Sequence, residues 1–162
     1  MLKSIKLTHV LNHRQWCNDT PFAEVASVYV NAWAAVRDLT RRAKDWGIGV
    51  LVDFHGVYGG ANDQEHSGTT TKRAELWTNG RNQERAIDAL RFIAEEVKSG
   101  SLTGVVGIQL CNEAVHNANG MYQWYDLAIK AIGRIDESIP LYISGKLLLS
   151  LLRVNMNTTF LP

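Results

Sequence analysis

The sequence contains few of the residues that cross-link or interrupt a small protein. It has two cysteines and three prolines in 162 residues. Cys17 and Cys111 lie far apart and show no Cys-X-X-Cys spacing, so neither a disulfide framework nor a structural zinc site is supported. Cys111 lies in an apolar run and is expected to be a buried thiol.

The sequence has neither a large net charge nor a long apolar run. The formal net charge is +1 and the pI is about 7.8, which gives no reason to expect nucleic acid or an anionic membrane as a partner. No stretch of about 18 apolar residues is present, so no membrane span is predicted. Residues 1–16 lack the apolar run and the cleavage site of a secretory signal peptide. The cellular location is left open by these observations.

What is present is typical of a globular domain, with 46% hydrophobic and 20% charged residues. Three segments have the 3.6-residue apolar period of amphipathic helices. The first begins with Thr20 as N-cap and Pro21 at the first helical position, and it ends at Gly47. The other two are predicted to span about residues 82–98 and 119–136.

Three short apolar runs alternate with these helices, at residues 48–54, 104–111 and 141–144. Nearly continuous apolar, β-branched runs are typical of parallel strands that are buried on both faces. Alternation with helices predicts βαβ units in an α/β fold. A complete (β/α)8 barrel needs about 250 residues. We therefore predict an incomplete TIM barrel, with three parallel strands alternating with helices.

The ends of the chain differ from this pattern. We predict an irregular N-terminal segment without a clear period at residues 1–19, the partial barrel at residues 20–145, and a divergent C-terminal tail at residues 146–162. The tail begins with a leucine-dense stretch, which is compatible with a short helix. The interpretation that we favour is that the tail does not continue the barrel, as a truncated or misjoined gene would produce.

The residues that follow each strand are the candidates for chemistry, because parallel sheets and barrels bind ligands at the carboxyl ends of their strands. Asp53 and His55 follow the first strand, Asn112 and Glu113 the second, and Ser144 the third. Glu113 is expected to be partly desolvated, as suits a general acid, although an ordinary exposed carboxylate is equally compatible with the spacing. Asn112 can hydrogen-bond a sugar hydroxyl. Asp53 is expected to hold a loop or to face the barrel interior.

Other polar and aromatic residues near the same edge have two interpretations each. His55 can contact a hydroxyl or a carboxylate, or it can be satisfied by the backbone. Tyr58 and Trp77 can stack on sugar rings, but packing explains them at least as well. The remaining histidines of the loops, His66 and His116, are weak candidates.

These segments resemble glycoside hydrolase family 5, most closely fungal exo-β-1,3-glucanases. LVDFHGVYGGANDQEHSG (51–68) resembles the third-strand segment of that family, and GVVGIQLCNEA (104–114) resembles the fourth-strand segment with its Asn-Glu pair. TPFAEVASVYVNAWAAV (20–36) resembles the helix before the third strand, and PLYIS (140–144) the start of the fifth. Ala114 stands where the family usually has proline.

The resemblance implies a retaining hydrolase of β-glucans, with a β-1,3-glucan or oligosaccharide as substrate and with neither a metal nor another cofactor. It assigns the acid/base role to Glu113 and substrate contacts to His55 and Asn112. Retention also requires a second carboxylate about 5–5.5 Å away, which the family carries on its seventh strand. Glu65 is the other glutamate near the edge, and it does not match that motif. We therefore expect the 162 residues alone to hydrolyse little.

Two further hypotheses remain open. The chain could be a non-catalytic carbohydrate binder or an unstable remnant, since the exposed strand edges of an open barrel favour self-association. A metal-dependent hydrolase is the other hypothesis, although the spacing matches no known metal motif. Its ligands would be the following carboxylates and imidazoles: Asp53, His55, His66, Glu113 and His116.

Overall fold

The computed structural model describes residues 5–6, 31–115, 119–145 and 148–154. Strands and helices alternate along the described chain, apart from a hairpin at its C-terminal end. The elements are β1 (Ile5–Lys6), α1 (Ala32–Asp45), β2 (Val50–Asp53), a 3₁₀ helix (Glu65–Ser67), α2 (Gly80–Lys98), β3 (Val105–Gln109), α3 (Met121–Gly133), β4 (Leu141–Gly145) and β5 (Leu148–Val154).

The strands form one sheet in the order β1-β2-β3-β4-β5. The first four strands are parallel, and β5 pairs antiparallel with β4. The predicted α/β fold, with three parallel strands separated by helices, is confirmed in β2, β3 and β4. Strand β1 was not predicted, because two residues are too few to show a period.

The interpretation of the leucine-dense stretch as a short helix is wrong. Residues Leu148–Val154 form a strand that pairs Leu141 with Val154 and Ile143 with Leu152. A helix of this length has too few hydrogen bonds to be stable alone, whereas the edge of β4 offers partners for the backbone. The boundary at residue 146 and the interpretation of the tail as a foreign continuation remain predictions.

The helix boundaries differ slightly from the predicted ones. The Thr20-Pro21 start lies outside the described residues. Helix α2 begins at Gly80 because the Asn79 side chain caps the N–H groups of Arg81 and Asn82. Within the described part of the chain, no helix is both long and apolar enough to cross a membrane.

The core lies between the sheet and its helices. All four residues of β2 are buried, as expected of a parallel strand covered on both faces. The helices cover the sheet with large side chains that are almost completely buried, among them Trp33, Leu90, Ile93, Trp124 and Ile132. This packing fixes where the carboxyl ends of β2 and β3 lie.

A group of hydrogen bonds to Glu96 joins α1 to α2. The Glu96 carboxylate accepts hydrogen bonds from Arg37 Nε at 2.6 Å, from Arg37 Nη2 at 2.9 Å and from Trp33 Nε1 at 3.0 Å. The Glu96 side chain is only 12% exposed. Charge-assisted bonds to a poorly solvated carboxylate are stronger than surface ion pairs.

We predict that Glu96→Gln lowers the free energy of unfolding by about 1–2 kcal/mol, because the amide cannot accept all three bonds. Urea denaturation measures the change. Asp45→Asn is the control, since it removes a 3.4 Å contact between well-exposed side chains and should change stability by less than about 0.5 kcal/mol. Equal losses in the two variants would contradict the prediction.

Candidate active site

The carboxyl ends of β2 and β3 meet at one edge of the sheet. Phe54 N donates to Gln109 O at 3.1 Å, and Asn112 N donates to Phe54 O at 3.2 Å. The backbone pairing therefore continues past both strands. It brings the segment that carries His55 alongside the segment that carries Asn112 and Glu113.

Asp53 organises the polar side chains at this edge. Its carboxylate is buried, and its Oδ2 lies 3.0 Å from His55 Nδ1 while its Oδ1 accepts from Gln109 Nε2 at 2.7 Å. A carboxylate at Nδ1 favours the tautomer that has the proton on Nδ1 and makes Nε2 the acceptor nitrogen. The expectation that Asp53 has a holding role agrees with these contacts.

Asn112 carries a buried donor. The residue is 6% exposed, and its Oδ1 lies 3.2 Å from Gln109 Nε2. Its Nδ2 has no hydrogen-bond partner among the described residues. A buried amide without a partner costs about 1–3 kcal/mol. A ligand hydroxyl that accepts from Nδ2 would recover this energy once the groups that cover the atom move aside.

Sequence reasoning missed Gln109, which links Asp53 to Asn112. Its signal was a single amide inside an otherwise apolar parallel strand, and burial of that strand requires that the amide find polar partners.

The Glu113 side chain is half-exposed. It retains 48% of its accessible surface, so the partly desolvated carboxyl remains a prediction. Glu113 lies between the buried residues Asn112 and Ala114 and has a φ of 46°. That left-handed conformation is uncommon for a residue with a side chain and occurs often at functional sites.

The loop after β2 holds Glu113 in this conformation. Asn62, which is completely buried, donates from Nδ2 to Glu113 O at 2.8 Å. Two residues later, Val115 N donates to Ala61 O at 3.1 Å. Sequence reasoning did not single out Asn62, because asparagine is also common in loops that have no such role.

His66 approaches the Glu113 carboxylate from the same loop. Its Nε2 lies 3.2 Å from Glu113 Oε2, and its ring centroid lies 5.3 Å from that of His55. Glu113 and His55 are therefore at the same rim, bridged by His66. This weak sequence candidate thus lies at the centre of the site, whereas His116 lies outside the described residues.

The two aromatic candidates are buried. Tyr58 is 1% exposed and the Arg85 guanidinium lies 4.0 Å above its ring, while burial raises the pKa of Tyr58 to about 12. Trp77 donates from Nε1 to Ala61 O at 2.9 Å and packs edge-on against Trp124. The structure gives no support to the prediction that Tyr58 or Trp77 stacks on a sugar ring.

Cys111 is a buried thiol, as predicted, and burial together with the Asp53 charge raises its pKa. In the described ranges, no three His, Cys, Asp or Glu side chains are grouped so that they could hold a metal ion.

We predict that Gly60→Ala disrupts the loop. Gly60 has a φ of 79°, and an added Cβ would lie 2.6 Å from Thr69 Cβ. Strain and overlap together should cost about 2 kcal/mol or more in the free energy of unfolding. Gly80→Ala is the matched control, because nothing lies within 4 Å of its Cβ. Denaturant unfolding of both variants checks this, and a stable Gly60→Ala protein would contradict it.

Comparison with known proteins gives two curated relatives above 30% identity. The chain is 32% identical over 133 residues to glucan 1,3-beta-glucosidase 3 of Schizosaccharomyces pombe, covering 82% of this chain and 27% of that protein. It is 33% identical over 129 residues to an uncharacterized glycosyl hydrolase of Saccharomyces cerevisiae, covering 76% and 26%. The chain thus spans about a quarter of the length of these relatives. No family model matches it.

Solved structures share the fold at low identity. Rutinosidase from Aspergillus niger superposes with a TM-score of 0.66 at 16% identity, over 91% of this chain and 44% of that one. Endoglucanase Cel5A from Pseudomonas stutzeri gives 0.56 at 16% identity, over 86% and 36%. The predicted relation to barrel glycosidases is confirmed at this partial coverage.

Proposed function

Since the chain is a partial homologue of fungal glycosyl hydrolases, we propose that it supplies the acid/base half of a retaining β-glucan hydrolase site, with Glu113 as the proton carrier. The observation that supports this most directly is the arrangement at the rim. His66 contacts both Glu113 and His55 there, and Asn112, the residue before Glu113, carries a buried donor without a partner among the described residues.

In the proposed reaction, Glu113 gives its proton to the glycosidic oxygen while the bond from that oxygen to C1 breaks and a second carboxylate bonds to C1. Glu113 then takes a proton from the water that attacks C1 and releases this carboxylate. Asn112 Nδ2 would donate to a sugar hydroxyl, and His55 would accept from one through Nε2. The exposure of Glu113 is compatible with this role, since a bound sugar would displace the water around the carboxylate.

The second carboxylate is proposed to lie outside these 162 residues. Glu65 lines a cavity of about 420 Å³ together with His66, but its loop does not match the nucleophile motif of the family. Without a nucleophile no glycosyl-enzyme ester can form. We therefore propose that this chain alone has little hydrolase activity. We also propose that its substrate is a β-1,3-glucan, since one relative is named a glucan 1,3-beta-glucosidase.

A small external nucleophile tests the proposed half-site. Azide can attack C1 of an aryl β-glucoside while Glu113 protonates the leaving oxygen, which yields a glycosyl azide with inverted configuration. We predict azide-dependent aglycone release that is about 100-fold faster than in Glu113→Gln, the usual size of a general-acid contribution. Equal rates in the two proteins would contradict the acid role.

The same reaction separates this proposal from a non-catalytic carbohydrate binder, a function that the half-exposed Glu113 also allows. A binder would retain its affinity for laminari-oligosaccharides but give no glycosyl azide. Strong laminarin hydrolysis without azide, lost in Glu113→Gln, would support the acid role but contradict the missing nucleophile.

We predict that Asn112→Ala weakens binding of laminari-oligosaccharides about tenfold, because it removes one buried hydrogen bond of about 1.4 kcal/mol. Titration calorimetry measures the dissociation constant. Gln123→Ala on the exposed side of α3 is the control and should bind like the unchanged chain. Unchanged affinity in Asn112→Ala would contradict the assigned contact.

A further inference from the structure

We propose that His66 is a positioning residue for Glu113: it holds the carboxylate at the rim and donates to it once the proton has left. This inference rests on the proposed acid/base role. It concerns a residue to which the resemblance assigns neither catalysis nor substrate contact.

Both partners of the contact are held by the backbone around them. His66 lies on the 3₁₀ helix, where Ser67 Oγ lies 3.0 Å from Asn62 O and 2.8 Å from Gln64 O. Asn62 in turn holds the Glu113 carbonyl. One loop thus fixes the backbone that carries His66 together with the main chain of Glu113.

This restraint distinguishes the contact from an ordinary surface pair. The side chains of His66 and Glu113 are 39% and 48% exposed, and two unrestrained side chains at that exposure would interact weakly. Here the folded loop holds the two backbones at a fixed separation. Only the rotamers of the two side chains remain to be ordered when the 3.2 Å contact forms.

The geometry suits the charge change at Glu113. When the Glu113 proton passes to the glycosidic oxygen and the bond to C1 breaks, the side chain becomes a carboxylate. The Nε2–H group of His66 can then donate to Oε2 and stabilise the new charge. When Glu113 later takes a proton from water, this bond weakens and the original state returns.

Several charged groups surround the imidazole. Asp63, Glu65 and Lys72 line the cavity beside it. The ring of His55 packs against the ring of His66, and Asp53 contacts the Nδ1 atom of His55. Both His55 and Asp53 come from the end of β2. An experiment must therefore separate the effect of His66 on Glu113 from that of His55.

Nuclear magnetic resonance of the full chain tests the proposal without any sugar. The first readout is the chemical-shift difference between the two Hγ protons of Glu113, which collapses when the side chain averages among rotamers. We expect His66→Leu to lose most of this difference. His66→Gln should keep more than half, because the glutamine Nε2 can take the place of the imidazole Nε2.

The second readout is the pH profile of the Glu113 ¹³Cδ signal. In the unchanged chain we expect two steps, one of which coincides with the titration of His66 seen by ¹⁵N. Both His66 variants should lose that step. Gln64→Leu is the control on the same loop and should leave both readouts unchanged, since its side chain contacts Asp63.

An Hγ difference and a two-step profile that persist in His66→Leu would overturn the proposal and assign the second step to another group, with His55 the first candidate. These results are independent of the azide reaction. Failure of azide rescue with an intact His66 effect would refute the acid/base role and leave the contact established.

Discussion

The site depends on one buried carboxylate. Asp53 ends β2 with its side chain out of water, and each of its oxygens holds a different neighbour, the His55 imidazole and the Gln109 amide. Gln109 passes this order on to Asn112. A buried carboxylate without partners would be strongly destabilising. The contacts that allow Asp53 to be buried in the sheet are therefore the same contacts that orient His55 and Gln109 in the site.

Glu113 is held differently. Its position depends on a loop that encloses Asn62 and Ser67 completely and contacts both the backbone and the side chain of Glu113. The left-handed backbone of Glu113 costs free energy that this loop compensates. Residues of the loop after β2 therefore contact Glu113, although Glu113 itself follows β3 in the chain. A long polar loop with a folded interior is typical of functional segments.

The fold was predictable where the sequence carries a strong period or an unbroken apolar run. The three helices and β2, β3 and β4 have such signals, but β1 is too short, and the leucines of β5 suit a helix or a strand. At the site, strand ends identified Asp53, His55, Asn112 and Glu113. The roles of Gln109, Asn62 and His66 depend on contacts between residues 3 to 56 positions apart, which no local pattern records. The left-handed backbone of Glu113 was not predictable either, because bonds from the loop after β2 to Glu113 and Val115 hold it.

A crystal structure of the chain with a short β-1,3-linked glucose oligosaccharide tests the central claim most directly. The account predicts a sugar hydroxyl within about 3.2 Å of Asn112 Nδ2 and a glycosidic oxygen within the same reach of the Glu113 carboxyl group. A sugar bound away from this rim, or a Glu113 side chain turned away from a sugar that is bound there, would contradict it.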